Sequence, residues 1–183
     1  MAAAHAAGAS LTFENVKELL HYDLQTGNFF WKVGGSGRVI GQRAGSLKRS
    51  HDHKYIHVRV AGGGRILAHR LAWFYTFGYW PPNDIDHING LGTDNRLANL
   101  RLATDAQTCM NRRVQRNNTS GFKGVTFDKE SGRWRAQIQI ERKTLRLGRF
   151  GSPKHAALAY NGAARKFFGA FAKVNSFPIV NYG

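Results

Sequence analysis

The stretch Ile85-Asp86-His87-Ile88-Asn89-Gly90, followed by Asn99-Leu100-Arg101, decides the fold of the first part of the chain. An apolar residue precedes a carboxylate and an imidazole, and Asn89-Gly90 is a strong signal for a tight hairpin turn. Beyond it, a helix is predicted over about 104–115, because Thr104 is a suitable N-cap for the amides of a first turn. The pattern therefore predicts a strand, an asparagine-bearing loop and a helix, all carrying polar side chains.

The residue types in this stretch suit metal-assisted hydrolysis of a phosphodiester. The carboxylate of Asp86 is a hard oxygen ligand of the kind that holds Mg²⁺. The imidazole of His87 can act as a base near neutral pH when a neighbour fixes its tautomer. Taken singly, Asp86, His87 and Asn99 are better explained as turn or capping residues. Their joint type, order and spacing favour the chemical interpretation.

The segment from Ile85 to Arg113 resembles the HNH (ββα-metal) homing endonucleases of phages and mobile introns, and the resemblance extends over residues 11–113. It implies cleavage of DNA with a divalent metal as cofactor, Mg²⁺ with Mn²⁺ as the alternative. At the matching positions, Asp86 is a metal ligand, His87 is the general base, and Asn99 orients the base and the loop.

A further metal ligand in that family lies on the helix, where this sequence departs from the family pattern. The family has His or Asn nine residues after the loop asparagine, and this chain has Thr108. Asn111 follows one turn later on the same helix face, so we favour it over Thr108. A third interpretation is impaired metal binding, which makes a catalytically decayed, non-cleaving DNA-binding regulator the alternative function.

The residues before this stretch alternate between short helical and strand patterns, which indicates an α+β domain. Residues 12–22 are predicted to form a helix, and residues 55–68 a hairpin. A second helix is predicted over 69–77 and is expected to stop at Pro81-Pro82. His69, at the start of this helix, is expected to be structural in preference to contacting phosphate.

The last third of the chain has the alternating pattern of a sheet with one basic face. Trp134, Ala136, Ile138 and Ile140 share one face of a strand, while arginines and glutamines occupy the other. Between Asn111 and Phe150 there are eleven Lys and Arg against three Asp and Glu. A basic two- or three-stranded ribbon fits the major groove of DNA.

An amphipathic helix is predicted after this sheet. Ser152 and Pro153 supply an N-cap and a first-turn proline, and Gly169 marks the end of the helix. Three antiparallel strands packed on one helix make a complete small domain. The predicted apolar stripe of the helix consists of Ala156, Tyr160, Ala163, Ala164 and Phe167.

Residues 120–177 resemble the ethylene-response-factor (APETALA-two) DNA-binding domain of plants, in motifs such as Gly132-Arg133-Trp134-Arg135 and Leu147-Gly148-Arg149-Phe150. The resemblance implies that the sheet enters the major groove, with these side chains facing DNA: Lys123, Arg135, Gln137, Gln139 and Arg146. The basic residues predicted to bind DNA with them are Arg133, Arg142, Lys143 and Arg149. The family has arginine at Thr126 and tryptophan near Arg146, so its base preference does not transfer.

The formal net charge of +16 indicates a polyanionic partner, because each neutralised phosphate releases a counterion. We predict double-stranded DNA as this partner. An RNA-binding protein is the second alternative, disfavoured because few aromatic side chains are available for stacking on bases. No apolar run approaches the ~20 residues of a membrane span, and Cys109 as the single cysteine excludes an internal disulfide.

The predicted organisation is a disordered leader over 1–10, a nuclease domain over 11–113, a linker over 114–119 and the DNA-binding domain over 120–177. A single active site predicts nicking by a monomer, without an obligate protein partner. The expected location is the cytoplasm of a bacterial or phage-infected cell.

Overall fold

The computed structural model describes residues 11–35, 37–50, 53–60, 64–114 and 117–177. Contacts between residues divide the chain into two compact units, one up to Ala103 and one from Thr104 onward. Both units combine helices with antiparallel sheets, which confirms the predicted α+β class. The leader predicted over 1–10 lies outside the described residues.

Among its described residues, the first unit has two helices and three small antiparallel sheets, whose strand orders are β1-β2-β3, β4-β5-β6 and β7-β8. A short 3₁₀ turn, Leu97–Asn99, leads directly into the last strand. In chain order the elements are α1 (Phe13–Leu19), β1 (Leu20–Asp23), β2 (Asn28–Trp31), β3 (Arg43–Ala44), β4 (Ser46–Ser50), β5 (His53–Val60), β6 (Gly64–Leu67), α2 (Ala68–Phe77), β7 (Asp84–His87) and β8 (Leu100–Ala103).

Helix α1 is shorter than the predicted helix over 12–22. Its N-cap is Thr12, whose Oγ1 accepts from the backbone N–H of Asn15 at 3.2 Å. The prediction is wrong beyond Leu19, because Leu20 and Tyr22 both point into the core as alternate residues of β1. Strand pairing with β2 therefore overrides the helical spacing of the apolar residues.

Helix α2 provides one side of the core of the first unit. Leu71 and Ala72 are fully buried in the same cluster as Val58 and Val60 of the predicted hairpin. The helix ends at Gly78, whose backbone N–H donates to Phe74. The helix covers the predicted residues 69–77, but the left-handed Gly78 ends it, and not Pro81-Pro82 as predicted.

The second unit begins with a six-residue helix and continues as a three-stranded sheet of order β11-β10-β9 backed by a long helix. Its elements are α3 (Asp105–Met110), β9 (Val125–Asp128), β10 (Arg133–Ile140), β11 (Lys143–Phe150) and α4 (Pro153–Phe168). This confirms the predicted three-stranded antiparallel sheet packed on one helix.

Helix α4 has the predicted boundaries, with Ser152 as N-cap and Gly169 as C-cap. Tyr160, Ala164 and Phe168 are buried at intervals of four residues, whereas Phe167 is 43% exposed. The prediction that Phe167 lies on the apolar stripe is wrong, because the four-residue spacing from Tyr160 carries the stripe through Phe168.

Candidate active site and nucleic-acid interface

The hairpin of β7 and β8 holds Asp86 and His87. Antiparallel pairing places Asp86 opposite Arg101 and His87 opposite Leu100. Asp86 is 7% exposed and His87 5% exposed. Because burial of a charged or polar group is costly unless it is paired, the partners of these two side chains define what the site can do.

Asp86 forms a buried ion pair with Arg101. The Nε and Nη2 atoms of Arg101 both donate to Oδ2 of Asp86, at 2.8 and 2.7 Å. The geometry shows that this carboxylate position accommodates positive charge.

His87 is held between an amide and two aromatic rings. Its Nε2 lies 3.1 Å from Oδ1 of Asn95. The ring of His69 meets it at 4.9 Å with an interplanar angle of 90°, and the ring of Tyr55 lies 6.1 Å away. His69 is itself buried, and its Nδ1 has no hydrogen-bond partner among the described residues.

Burial lowers the pKa of His87 below its ordinary value of 6.5, while the hydrogen bond with Asn95 and the charges of Asp86 and Asp94 oppose this effect. At neutral pH the imidazole is therefore uncharged. An uncharged imidazole is the form that can accept a proton from water.

Asn99 organises the loop that follows β7. Its Nδ2 donates to Oδ1 of Asn89 at 3.1 Å and to the backbone oxygen of Asp94 at 2.8 Å, while its Oδ1 accepts from the backbone N–H of Asn89 at 3.0 Å. The carboxylate of Asp94 also accepts a hydrogen bond from Nη2 of Arg96 at 2.7 Å, and this hydrogen bond lowers the pKa of Asp94. These contacts agree with the role in the loop that the resemblance implies for Asn99. The side chain that contacts Nε2 of His87 is that of Asn95.

Sequence reasoning did not select Asn95, and it treated His69 as structural and missed Tyr55. A signal for Asn95 was available in the motif Asp94-Asn95-Arg96, inside the asparagine-rich loop itself. Tyr55 and His69 come from β5 and α2, so only the tertiary packing reveals their contact with His87.

Helix α3 begins as predicted, with a capping box formed by Thr104 and Gln107. The prediction that it continues to about residue 115 is wrong, because the helix ends at Met110 and Asn111 is its C-cap. Asn111 is buried, and Oγ1 of Thr108 is buried without a hydrogen-bond partner within the described part of the chain. Both candidate ligands on the helix belong to the second unit.

The chemistry of these donors fits a hard divalent cation. Asp86, Asn111 and Thr108 offer carboxylate, amide and hydroxyl oxygens, the ligand types that Mg²⁺ accepts. The described residues contain no group of three or more His, Cys, Asp or Glu that could hold a metal ion.

A β-bulge in the second unit gathers arginines on one face of the sheet. Arg146 and Arg149 are three positions apart, so strict alternation would place them on opposite faces. The register shifts between Ala136 and Gln137, so that Gln137 pairs with Arg146 and Arg135 pairs with Arg149. The residues sharing this face, which we name the arginine face, are Arg133, Arg135, Gln137, Gln139, Arg146 and Arg149.

The remaining predicted DNA-binding residues lie elsewhere. Arg142 and Lys143 are exposed at the turn between β10 and β11, where Arg142 has a positive φ of 65°. Lys123 is directed toward the chain itself, since its Nζ donates to the backbone oxygens of Met110 at 2.6 Å and Arg112 at 2.8 Å. Burial lowers the pKa of Lys123 to about 8. In this arrangement, the ammonium group of Lys123 caps the end of α3.

A hairpin carrying Asp86, His87 and Asn99, and a separate sheet backed by one helix, define a nuclease-like motif joined to a β-sheet DNA-binding fold. Comparison with known families agrees with this description. Residues 67–109 match the HNH endonuclease family, and residues 120–170 match the AP2 domain. The chain therefore carries a segment that matches the HNH endonuclease family, followed by a segment that matches the AP2 domain, as predicted.

Two relatives each match less than half of the chain. Protein 3.8 of Escherichia phage T7 is 41% identical over 59 residues, which cover 32% of this chain and 49% of that protein. The AP2-like ethylene-responsive transcription factor TOE2 of Arabidopsis thaliana is 42% identical over 71 residues, covering 39% of this chain and 14% of the factor. The chain thus spans half or less of the length of these two relatives.

One viral relative matches across both parts of the chain. The uncharacterized HNH endonuclease L560 of Acanthamoeba polyphaga mimivirus is 31% identical over 147 residues, covering 79% of this chain and 66% of the relative. Within the described residues, no helix has the length and apolar character required to cross a membrane.

Proposed function

We propose that this protein is a metal-dependent DNA endonuclease that hydrolyses phosphodiester bonds, nicks duplex DNA and takes sequence preference from its C-terminal sheet. The observation that carries the proposal is the uncharged, buried His87 beside Asp86, on a hairpin whose loop is fixed by Asn99. The matches to the HNH endonuclease family and to the mimivirus HNH endonuclease support it.

In the proposed reaction His87 is the general base. The imidazole takes a proton from a water molecule, the resulting hydroxide oxygen forms a bond to the scissile phosphorus, and the bond from phosphorus to the leaving oxygen breaks. Burial of His87 keeps the imidazole uncharged before the reaction, and Asn99 fixes the loop beside it.

Asp86 would hold the divalent metal, for which we favour Asn111, the C-cap of α3, as the further ligand, with Thr108 of α3 as the alternative. The bound metal, Mg²⁺ or Mn²⁺, would stabilise negative charge on the phosphate and the leaving oxygen. Arg101 neutralises Asp86 in the structure and would have to share this carboxylate with the metal.

The arginine face would bind the duplex. Its arginines neutralise phosphates or contact guanine, and its two glutamines can read adenine. Arg142 and Lys143 would add contacts at the sheet's end. We propose that a monomer acts without an obligate protein partner, and the phage and viral relatives support action inside an infected cell.

The test is conversion of supercoiled plasmid to the open-circular form by wild type and His87→Ala in Mg²⁺, Mn²⁺ or EDTA. We expect the wild type to nick only with metal. We expect His87→Ala to be slower by about 10²–10⁴-fold, the contribution of a general base. The exposed His21 of the same unit provides the matched control, since His21→Ala should nick at the wild-type rate.

Equal rates for His87→Ala and wild type would remove the central step of the proposal. A wild type that binds duplex DNA and cuts with none of the metals would favour the non-cleaving regulator. Thr108, which replaces the family's His or Asn, is the feature that favours this second function, and Thr108→Asn should then restore metal-dependent nicking.

A further inference from the structure

The contact between His87 and Asn95 determines which nitrogen of the imidazole carries the proton. Nε2 of His87 lies 3.1 Å from Oδ1 of Asn95. A carbonyl oxygen only accepts hydrogen bonds, so the hydrogen of this contact belongs to Nε2. A neutral imidazole has one N–H, and the lone pair that can accept a proton from water is consequently on Nδ1.

We propose that Asn95 is the positioning residue of the active site, which holds His87 with its proton on Nε2 so that Nδ1 serves as the base. The inference rests on the proposed function, because it assigns a role within the same reaction. It also separates two tasks: Asn99 fixes the loop, and Asn95 fixes the imidazole.

Asn95 is itself fixed by the core of the first unit. It is 2% exposed and ranks among the most deeply buried side chains of the described chain. Its backbone oxygen accepts the hydroxyl of Tyr22 from β1 at 2.6 Å. Gly27 packs so closely on the backbone of Asn95 and Arg96 that a Cβ at this position would overlap both residues. A group held this firmly can impose an orientation on its neighbour.

The residues on either side hold the loop around Asn95 in place. Asp94 accepts hydrogen bonds from Asn89 and Arg96, each at 2.7 Å, and its backbone oxygen accepts from Asn99 at 2.8 Å. The ring of His69 packs perpendicular to the ring of His87, with 4.9 Å between the ring centroids. The imidazole is therefore restrained by a hydrogen bond at Nε2 and by ring packing.

Two substitutions at Asn95 distinguish the effect of its hydrogen bond from the effect of its side-chain volume. Asn95→Asp keeps an acceptor at the Oδ1 position, and Asn95→Leu keeps a similar volume without an acceptor. We expect Asn95→Leu to lose about 10²-fold in the nicking rate at saturating DNA, with little change in the KM for plasmid. This is the loss expected when a general base is misoriented. Asn95→Asp should stay within about tenfold of wild type, since the orientation is retained.

The readout independent of activity is ¹⁵N NMR of the His87 ring in the metal-free wild-type protein at neutral pH. We expect a proton on Nε2, protected from exchange with solvent, and loss of this protection in Asn95→Leu. A wild-type proton on Nδ1, or an Asn95→Leu variant as fast as wild type, would overturn the inference. If Asn95→Leu does not fold, the wild-type spectrum alone decides. A protected Nε2 proton in a wild type that cuts no plasmid would mean that the nuclease proposal has failed while the placement of the proton stands.

Discussion

His69 is a buried imidazole beside the proposed base, and its burial links the stability of the first unit to pH. Desolvation lowers the pKa of His69 to about 3, and the nearby His87 and Arg70 act in the same direction. The unfolded chain binds a proton at this imidazole near pH 6.5, whereas the folded chain does not until the pH is far lower. Folding stability must therefore fall as the pH drops through 6.5 toward 3.

We predict that His69→Phe, which keeps a buried ring without a titrating nitrogen, is less sensitive to acid than wild type. One proton taken up only on unfolding changes stability by ~1.4 kcal/mol per pH unit, or about 2 kcal/mol between pH 6.5 and 5. Urea unfolding of both proteins at the two pH values measures the difference. Identical losses in the two proteins would show that His69 does not carry this linkage.

At the scale of single residues, the sequence predicted the roles that depend on local order along the chain. Asp86, His87 and Asn99 could be selected because their types and spacing match one family. The contact of Asn95 with His87 could not be predicted, because it depends on how the loop between these two residues folds back. Lys123 was assigned to DNA from its position in the motif, while the structure shows it bound to two carbonyls of its own chain.

At the scale of elements, the packing of α4 on the sheet leaves no space for a side chain at position 124. Gly124 has a φ of +74°, and a Cβ there would overlap the ring of Tyr160 and approach the backbone oxygen of Gln137 at 2.7 Å. Gly121 has a nearly identical φ of +73° with nothing within 4 Å of a Cβ. These two glycines have nearly the same φ and differ in the space around them.

We predict that Gly121→Ala costs about 1 kcal/mol of stability, the cost of an alanine in the left-handed region. Gly124→Ala adds displacement of the Tyr160 ring and should cost at least about 2 kcal/mol more, in the range of overpacked cores. Thermal unfolding of the two variants beside wild type gives the comparison. Equal losses for both would mean that the helix moves away from the sheet without cost.

Boundaries of elements were predicted less well than their existence. The helical spacing at 12–22 continued into residues that pair as a strand, and α3 ended several residues before the predicted position. In the first case, strand pairing with β2 ended the helix, and in the second case the helix ended at its cap residue Asn111. The bulge in the sheet could not be predicted, because Arg146 and Arg149 reach the same face only after β11 pairs with β10.

At the scale of the whole molecule, the net charge of +16 should make DNA binding strongly dependent on salt. We predict that Arg146→Gln, on the arginine face, lowers the slope of log K against log salt by about 0.9, the value for one phosphate contact. Lys154 is an exposed residue of α4. Lys154→Gln removes one positive charge as Arg146→Gln does, and the slope of log K against log salt for this variant should remain near that of wild type.

Fluorescence titrations of a labelled duplex at several salt concentrations measure these slopes. Equal reductions for Arg146→Gln and Lys154→Gln would show that net charge alone, and not the arginine face, governs binding. The order of the two domains was predictable from charge and motif. Contacts group α3 with the second unit, whereas the segment that matches the HNH endonuclease family includes α3 up to residue 109.

The contacts of Tyr22 and Gly27 with the backbone of Asn95, which we call the clasp, matter for moving this part of the chain into another protein. The segment that matches the HNH endonuclease family begins at residue 67, whereas both residues of the clasp come from the chain's first two strands and the turn between them. A graft of residues 67–109 into another scaffold would carry His87 and Asn95 without the contacts that Tyr22 and Gly27 make with Asn95. A fragment that keeps this support would therefore need β1 and β2 as well as the motif.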